Sequence, residues 1–200
     1  MNWPEPKILR GTHARLVPLS LDHLPALCDA ARDGEMWTQP YTPIPKPERM
    51  QAEIERRLAL QAAGSMLPFT VMDNAGQAFG MTTYMNIEAA HRRLEIGSTW
   101  YRRSVQRTPV NTECKLMLLT RAFEELHCVT VELRCHALNT GSRRAIERLG
   151  AKLDGILRSN RVEPNGSLRD TCVYSIIACE WPTVRTHLQW QLTRPREATA

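Results

Sequence analysis

One amphipathic helix, placed between two strands, is the feature that most constrains how this chain folds. From Thr112 to Leu126 apolar residues recur at the spacing of a helix face. Strand patterns lie directly before it, at Arg93–Tyr101, and directly after it, at Cys128–Cys135. A strand, a crossover helix and a further strand in one sheet require the two strands to run parallel. The sequence therefore predicts a β-α-β unit near its centre.

The other predicted strands are joined by short turns. Asp73-Asn74-Ala75-Gly76 and Glu163-Pro164-Asn165-Gly166 are both rich in turn-forming residues and connect consecutive strands as hairpins. These strands cover residues 14–19, 67–72, 78–87, 152–162 and 168–177, and further helices are predicted over 20–31, 48–63, 139–150 and 180–192. Because hairpins dominate, the predicted fold class is α+β, with a mostly antiparallel sheet of about seven strands flanked by helices.

Length and composition favour one globular domain. The 200 residues are 42% hydrophobic and 24% charged, and no stretch of about 18 apolar residues is present. The first residues lack the basic and apolar regions of a secretory signal. We therefore expect a cytoplasmic protein without a membrane segment, in which residues 1–193 form one domain and residues 194–200 a frayed tail.

The net charge and the cysteine pattern indicate which classes of partner and cofactor the protein binds. The net charge of +5 favours an anionic partner, such as a phosphate-bearing cofactor, an acidic protein or a nucleic acid. The six cysteines are scattered without any C-x-x-C pair. This pattern predicts neither a metal site nor a redox cofactor.

The segment from Val105 to Glu113 joins a strand to the start of the long helix. The first N–H groups of a helix have no partner within it, and the helix dipole favours negative charge there. This junction is therefore suited to a pyrophosphate.

Four motifs occur together in the order and at the spacing of a known family. They are Glu95-Ile96-Gly97, Thr112-Glu113 at the helix start, Ala122-Phe123-Glu124-Glu125-Leu126 at its end, and the run from Asn139 through Ser142 to Leu149-Gly150. In this respect the chain resembles the RimJ/RimL type of GNAT acetyltransferases over residues 8–181. The resemblance implies acetyl-CoA as cosubstrate and a sheet splayed between its fourth and fifth strands, here 93–101 and 128–135, with the pantetheine arm between them.

The resemblance also implies the residues that bind the cosubstrate. Residues 98–100 are expected along the pantetheine, backbone N–H groups of residues 106–112 around the pyrophosphate, and two helix residues near the thioester. The expected cofactor-binding residues are Ser98, Thr99, Trp100, Gln106, Arg107, Thr108, Val110, Asn111, Thr112, Asn139 and Ser142.

One position departs from the family pattern. The family's phosphate loop usually reads Q-x-x-G-x-G/A, and Pro109 stands here at the first glycine and Asn111 at the second. Proline has no N–H to donate, so at least one phosphate donor is lost. Arg107 or the Thr108 hydroxyl could compensate, since a charged contact to phosphate is stronger than a neutral one.

The reaction implied is direct attack of an amine on the thioester. It needs a base for the ammonium proton, a donor for the oxyanion and an acid for the leaving thiolate. We expect Glu95 as the base, on one strand face with Gly97, Thr99 and Tyr101 under strict alternation, or else as an exposed or ion-paired carboxylate. Ser142 takes the place of the family's acid by position, or else only contacts the cosubstrate. A backbone N–H of the splayed strand serves the oxyanion.

The acceptor is expected near Trp37, Tyr41 and the hairpin around Arg161, or these aromatics merely anchor a loop. The predicted function is an acetyl-CoA-dependent N-acetyltransferase acting on a protein N-terminus or a small amine. A non-catalytic acyl-CoA-binding or protein-interaction module of the same fold is the alternative. An RNA- or ribosome-binding protein is a third reading, but the arginines near the loop are better used on the cosubstrate's phosphates. A homodimer is possible, since family members are often dimers.

Overall fold

The computed structural model describes residues 3–194, and its framework is one eight-stranded sheet in the order β1-β2-β3-β4-β5-β6-β8-β7. The strands are β1 Leu9–Arg10, β2 Arg15–Pro18, β3 Met66–Met72, β4 Ala78–Glu88, β5 Arg93–Tyr101, β6 Thr130–His136, β7 Lys152–Val162 and β8 Leu168–Ile177. The helices are α1 Leu24–Arg32, α2 Met50–Ala62, α3 Val110–Thr120, α4 Thr140–Glu147 and α5 Trp181–Thr193. The predicted α+β class is confirmed.

All strand pairs are antiparallel except β5 with β6, which run parallel. The parallel pair is joined by α3, as the crossover argument predicts. The two predicted hairpins are present, with Gly76 and Gly166 at positive φ in their turns. The turn-forming residues therefore correctly predicted the antiparallel pairing of β3 with β4 and of β7 with β8.

Each face of the sheet carries its own apolar core. On one face, Tyr84, Val131 and Tyr174 pack with Leu118 of α3 and Leu188 of α5. The other face is covered by α1 and α2, whose buried residues include Leu27, Ala30, Met50 and Ile54 and pack on Met81 and Trp100 of the sheet. The central part of the sheet is thus the middle layer of three, while the edge strand β7 is exposed along almost its whole length.

The structure adds one strand that was not predicted. β1 has two residues and pairs Leu9 with Leu16 of β2. The carboxylate of Glu113, at the start of α3, accepts the backbone N–H groups of Thr12, His13 and Ala14 at 2.7–2.8 Å. A strand of two residues is too short to show an alternating pattern in the sequence. The turn that follows it is held by Glu113, a residue about 100 positions away, so no local pattern predicts it either.

The central helix differs from its prediction at both ends. It begins at Val110, two residues before Thr112, because Pro109 holds a helical φ of −59° at the N-cap position. It ends in a wider turn over Arg121–Glu125 with π-helical bonding. Within residues 3–194, no helix is long and apolar enough to cross a membrane. The predicted tail, apart from Arg194, lies outside the described residues.

Candidate active site

A V-shaped opening lies between β5 and β6, and we call its two sides the β5 arm and the β6 arm. The parallel pairing covers three residue pairs and ends at Glu95 with Glu132. Beyond that point β5 continues along β4 to Tyr101, while β6 continues along β8 to His136. The facing backbone edges of the two arms therefore separate, which suits an extended ligand bound like an additional strand. The predicted splay is confirmed.

The β5 arm contains a β-bulge at Ser98. Thr83 of β4 pairs with Gly97 and Met81 pairs with Trp100, so β5 has one residue more than β4 between these pairs. Ser98 adopts a left-handed φ of 47°. An extra residue reverses which face the following side chains occupy.

This bulge corrects the predicted alternation of β5. A Cβ on Gly97 would lie 2.9 Å from a Glu95 oxygen, so these two residues share a face. Thr99 instead accepts a hydrogen bond from Lys115 of α3, and Tyr101 packs on the core under α3. Strict alternation placed Glu95 on one face with Thr99 and Tyr101. That prediction is wrong, because the bulge turns Thr99 and Tyr101 to the opposite face.

Glu95 lies at the apex of the V. Its side chain is 7% exposed and accepts a hydrogen bond from Asn86 Nδ2 at 2.7 Å, with Arg134 Nε at 3.6 Å. Burial raises the pKa of Glu95 above its ordinary value, against the lowering effects of the Asn86 hydrogen bond and the Arg134 charge. The carboxylate is not exposed, and its contact with Arg134 fits the ion-paired alternative. The raised pKa suits a proton acceptor, and the role of base stays a prediction.

Charged residues of β6 and β7 lie near this carboxylate. Glu132 accepts hydrogen bonds from Arg134 at 2.6 and 2.9 Å and pairs with Arg93. Arg161 of β7 lies near enough that its charge also lowers the pKa of Glu95. The β7–β8 hairpin therefore carries a charge that acts on the apex, and its place on the acceptor side stays a prediction.

The β6 arm keeps strict alternation. Val131, Leu133 and Cys135 point into the core under α3, so Glu132, Arg134 and His136 face the opposite side. His136 is buried, and its Nδ1 accepts the backbone N–H of Leu138 at 3.0 Å, which places the ring proton on Nε2.

The two aromatic residues predicted for the acceptor side have different positions. The ring of Tyr41 contacts His136 in a tilted arrangement, with centroids 4.5 Å apart and 42° between the ring planes, so the loop between α1 and α2 reaches the end of β6. Trp37 packs against the core under α1 and α2, which fits loop anchoring. Of the two, the structure therefore brings only Tyr41 to the β6 arm.

The segment before α3 is held in place by α1. Asp33 accepts hydrogen bonds from Ser104 Oγ at 2.6 Å and Arg102 Nε at 2.7 Å, and these lower the pKa of its carboxyl group. Gln106 donates its side-chain amide to the Tyr101 carbonyl at 3.1 Å. The Thr108 hydroxyl donates to the Val105 carbonyl at 2.6 Å. Both side chains therefore shape the loop itself, and Arg107 is exposed with a left-handed φ of 61°.

Several predicted cofactor-binding side chains are committed to the fold. Val110 and Thr112 are buried, and the Thr112 hydroxyl accepts a hydrogen bond from Arg148. Trp100 is buried under α1 and α2. Only the backbone groups of these three residues are suited to contact a ligand. Asn111 and Ser98 are more accessible.

The β6 arm leads into α4, where Asn139 is the N-cap and accepts the Ser142 N–H at 2.9 Å, as the sequence predicts. Ser142 is half-buried on the first turn. Glu95 thus lies at the apex of the V and Ser142 on the helix that follows the β6 arm, and both catalytic assignments stay predictions. Among the described residues, no group of three or more His, Cys, Asp and Glu side chains could hold a metal ion.

Two buried cations near the bulge were not predicted. Arg57 of α2 reaches Thr83 and the Ser98 carbonyl, and Lys115 of α3 reaches Thr99. Neither had a signal in the sequence, because both lie in ordinary helical patterns. Arg134 was also missed, although alternation in β6 placed it beside Glu132 and His136.

Comparison with known proteins agrees with this geometry. The family model described as the acetyltransferase (GNAT) domain matches residues 13–152. The Bacillus subtilis (strain 168) protein named "Putative ribosomal N-acetyltransferase YdaF" is 31% identical over 106 residues, which are 53% of this chain and 57% of that protein. The matched part thus spans little more than half the length of this curated relative.

Solved structures match over nearly the whole chain. A GCN5-related N-acetyltransferase from Brucella melitensis is 33% identical, with a TM-score of 0.82, covering 95% of this chain and 87% of that one. A Salmonella typhimurium acetyl transferase, described as modifying the N-terminal serine of ribosomal protein L7/L12, has a TM-score of 0.75 at 19% identity, covering 86% and 99%. The latter likeness concerns the fold alone. With the family model matching more than half of its length and the parallel strands parting into a V, this chain belongs to the GNAT acetyltransferase family.

Proposed function

We propose that this protein is an acetyl-CoA-dependent N-acetyltransferase that transfers an acetyl group to a primary amine. The single observation that carries the proposal is the V between β5 and β6, where pairing ends after Glu95 and Glu132. An extended pantetheine arm fits such an opening because its amides can hydrogen-bond to the separated strand edges. The start of α3 lies next to the end of the β5 arm and is the expected place for the phosphates.

The residues at the apex are suited to the proton transfers. Bound acetyl-CoA would supply a thioester for direct attack by the amine. Glu95, buried beside Asn86 and Arg134, takes the proton of the incoming ammonium. A backbone N–H of the β5 arm stabilises the negative charge that develops on the carbonyl oxygen. Ser142, on the first turn of α4, passes a proton to the leaving thiolate and regains one from the attacking nitrogen, which loses its second proton as it becomes an amide.

The acceptor enters from the side formed by Tyr41, His136 and the β7–β8 hairpin. Tyr41 and His136 lie at the end of the β6 arm, on the face that Glu95 occupies, and the charge of Arg161 in the hairpin acts on Glu95 at the apex. The relatives carry names that refer to ribosomal proteins, and one is described as modifying an N-terminal serine. A protein N-terminus is therefore the first acceptor class to test, and small amines are the second. A cytoplasmic location and a homodimer remain parts of this proposal.

The test combines binding and turnover on the full chain. Calorimetry should show acetyl-CoA binding to the wild type, and thiol release should rise when Ser-initiated peptides or small amines are added. Binding without turnover, across a panel of amines, would contradict the enzyme reading. Activity that is lost after chelation would contradict the expectation that no metal takes part.

A non-catalytic module that binds acyl-CoA is the second candidate, and Pro109 is the observation that favours it. This residue removes an N–H at the start of α3, and the Thr108 hydroxyl, one possible substitute, already bonds to Val105. Turnover separates the two candidates, and Pro109→Gly tests the phosphate site. Tight binding by the wild type would show that the remaining groups suffice, whereas binding restored only in Pro109→Gly would indicate that the function has weakened.

A further inference from the structure

Arg57 is a buried cation that neither the family motifs nor the proposed chemistry uses. It lies on α2 with a side chain only 3% exposed, and its Nε donates to Glu53 at 2.7 Å. Burial alone raises the pKa of Glu53, but hydrogen bonds and charge from Arg56 and Arg57 bring it below its usual value. The pair is therefore ionised at neutral pH, with the guanidinium of Arg57 buried between α2 and the sheet and Glu53 partly exposed.

The guanidinium spans the two strands of the bulge. Nη1 donates to the Thr83 hydroxyl of β4 at 2.8 Å, and both terminal nitrogens lie 3.4 Å from the Ser98 carbonyl of β5. Thr83 pairs with Gly97, the residue directly before the bulge in β5. Ser98 is the bulge residue with the left-handed φ. A serine in that conformation is strained by about 1–2 kcal/mol, so the surrounding structure must hold it there.

The bulge determines what the β5 arm presents to a ligand. It decides which backbone groups after Gly97 face the V, because one added residue reverses their direction. A planar guanidinium with several fixed donors can hold two acceptors on separate strands at once, which an ammonium does less well.

We propose that Arg57 is a positioning residue that holds the Ser98 bulge, and with it the backbone groups of the β5 arm that bind acetyl-CoA. This inference rests on the proposed function for its ligand and on the contacts above for its geometry. Arg57 does not touch the reacting atoms. Its effect passes through the Ser98 carbonyl and the Thr83 hydroxyl.

The test uses matched variants of the full chain. Arg57→Met removes the guanidinium, and Arg57→Lys keeps the charge without the fork. Arg56→Met is the control on the neighbouring residue, which is 52% exposed and, among residues 3–194, donates its side-chain hydrogen bonds to the same Glu53. Leu188→Ala, in fully buried α5 packing, is the control for lost stability alone.

Two readouts are measured for each variant. One is the dissociation constant for acetyl-CoA by calorimetry, well below the unfolding temperature. The other is amide hydrogen exchange over residues 93–101 without ligand. Arg57→Met should weaken binding roughly 10- to 100-fold and speed exchange after Gly97, because hydrogen bonds to charged groups are lost. Arg57→Lys should fall between Arg57→Met and the wild type.

The controls should behave differently. Arg56→Met and Leu188→Ala should keep the affinity within about twofold, since neither changes the bulge. Unchanged affinity in Arg57→Met, or an equal loss in Leu188→Ala, would overturn the proposal. If Arg57→Met does not fold, Arg57→Lys carries the same comparison.

Failure of the proposed function looks different from failure of this inference. A wild type that does not bind acetyl-CoA overturns the proposed function and the ligand part of the inference together. The exchange readout still decides whether Arg57 holds the bulge. Equal exchange over residues 93–101 in the wild type and Arg57→Met would overturn that part as well.

Discussion

The two arms of the V are built in different ways. The β6 arm is regular, with core residues Leu133 and Cys135 alternating against Arg134 and His136, and it pairs with β8 along its whole length. The β5 arm is interrupted by the bulge at Ser98. Its polar supports come from two helices, Arg57 of α2 on one face and Lys115 of α3 on the other.

The difference shows what an irregular strand needs. A regular strand satisfies its backbone through its ladder, and apolar packing holds one face. A bulged strand leaves groups outside the ladder, and these need other partners. The β5 arm recruits buried hydroxyls and cations for this purpose, at a cost in desolvation that the β6 arm avoids.

The largest expected effect concerns the apex between the arms. Glu95→Gln keeps the shape of the side chain and its contact with Asn86, but it removes the proton acceptor. We expect kcat to fall about 100- to 10,000-fold, as for loss of a general base. The measurement is steady-state kinetics with acetyl-CoA and an active amine. Activity close to that of the wild type would exclude Glu95 as the base.

Lys115→Met tests how much folding free energy is lost by burying the charge of Lys115, one of the two cations that support the β5 arm. Burial lowers the pKa of Lys115 from 10.5 to about 8, and its Nζ donates to the Thr99 hydroxyl. Because the folded pKa lies below the unfolded one, folding penalises the charged form fully below pH 8, and the penalty disappears above pH 10.5. Methionine has similar length and no charge.

We therefore expect Lys115→Met to raise the free energy of unfolding at pH 7 by on the order of 3 kcal/mol, less whatever the lost Thr99 hydrogen bond contributes. The gain should shrink as the pH rises from 8 to 10.5. Urea unfolding at pH 7 and at high pH measures both. A variant less stable than the wild type at pH 7 would show that the hydrogen bond outweighs the desolvation.

Arg134→Gln changes the charge that the β6 arm places beside Glu95. The Arg134 charge lowers the pKa of Glu95, so its removal should raise that pKa further. The base must be deprotonated to act, so the acid limb of the kcat/KM profile should move to higher pH. Arg158→Gln, in the exposed hairpin, is the matched control. An unmoved acid limb in Arg134→Gln would mean that Glu95 does not set it.

Tyr41→Ala should have the smallest effect. It removes the ring that contacts His136 at the end of the β6 arm, on the proposed acceptor side. We expect KM for the amine to rise several-fold, roughly the value of one aromatic contact, with the affinity for acetyl-CoA unchanged. Kinetics at saturating acetyl-CoA and calorimetry check the two parts. A loss of acetyl-CoA affinity instead would place Tyr41 on the cosubstrate side.

Much of the framework followed from local patterns. The order of strands and helices, both hairpins and the Asn139 cap were predicted, because turn residues and apolar spacing of two or 3.6 residues act within a few positions. The alternation of β6 was correct for the same reason. The first strand was missed because Glu113, far along the chain, holds its turn.

Within the site, the sequence alone determined that Glu95 and Ser142 lie on two elements separated by a crossover helix, and that Pro109 removes a donor. Only the tertiary structure decided that Thr99 turns away from Glu95, that Arg57 and Lys115 support the bulge, and that Tyr41 meets His136. The reason is physical. A bulge is a difference in length between two paired strands, and a buried cation or an aromatic contact depends on partners from distant elements, so no local pattern records either of them.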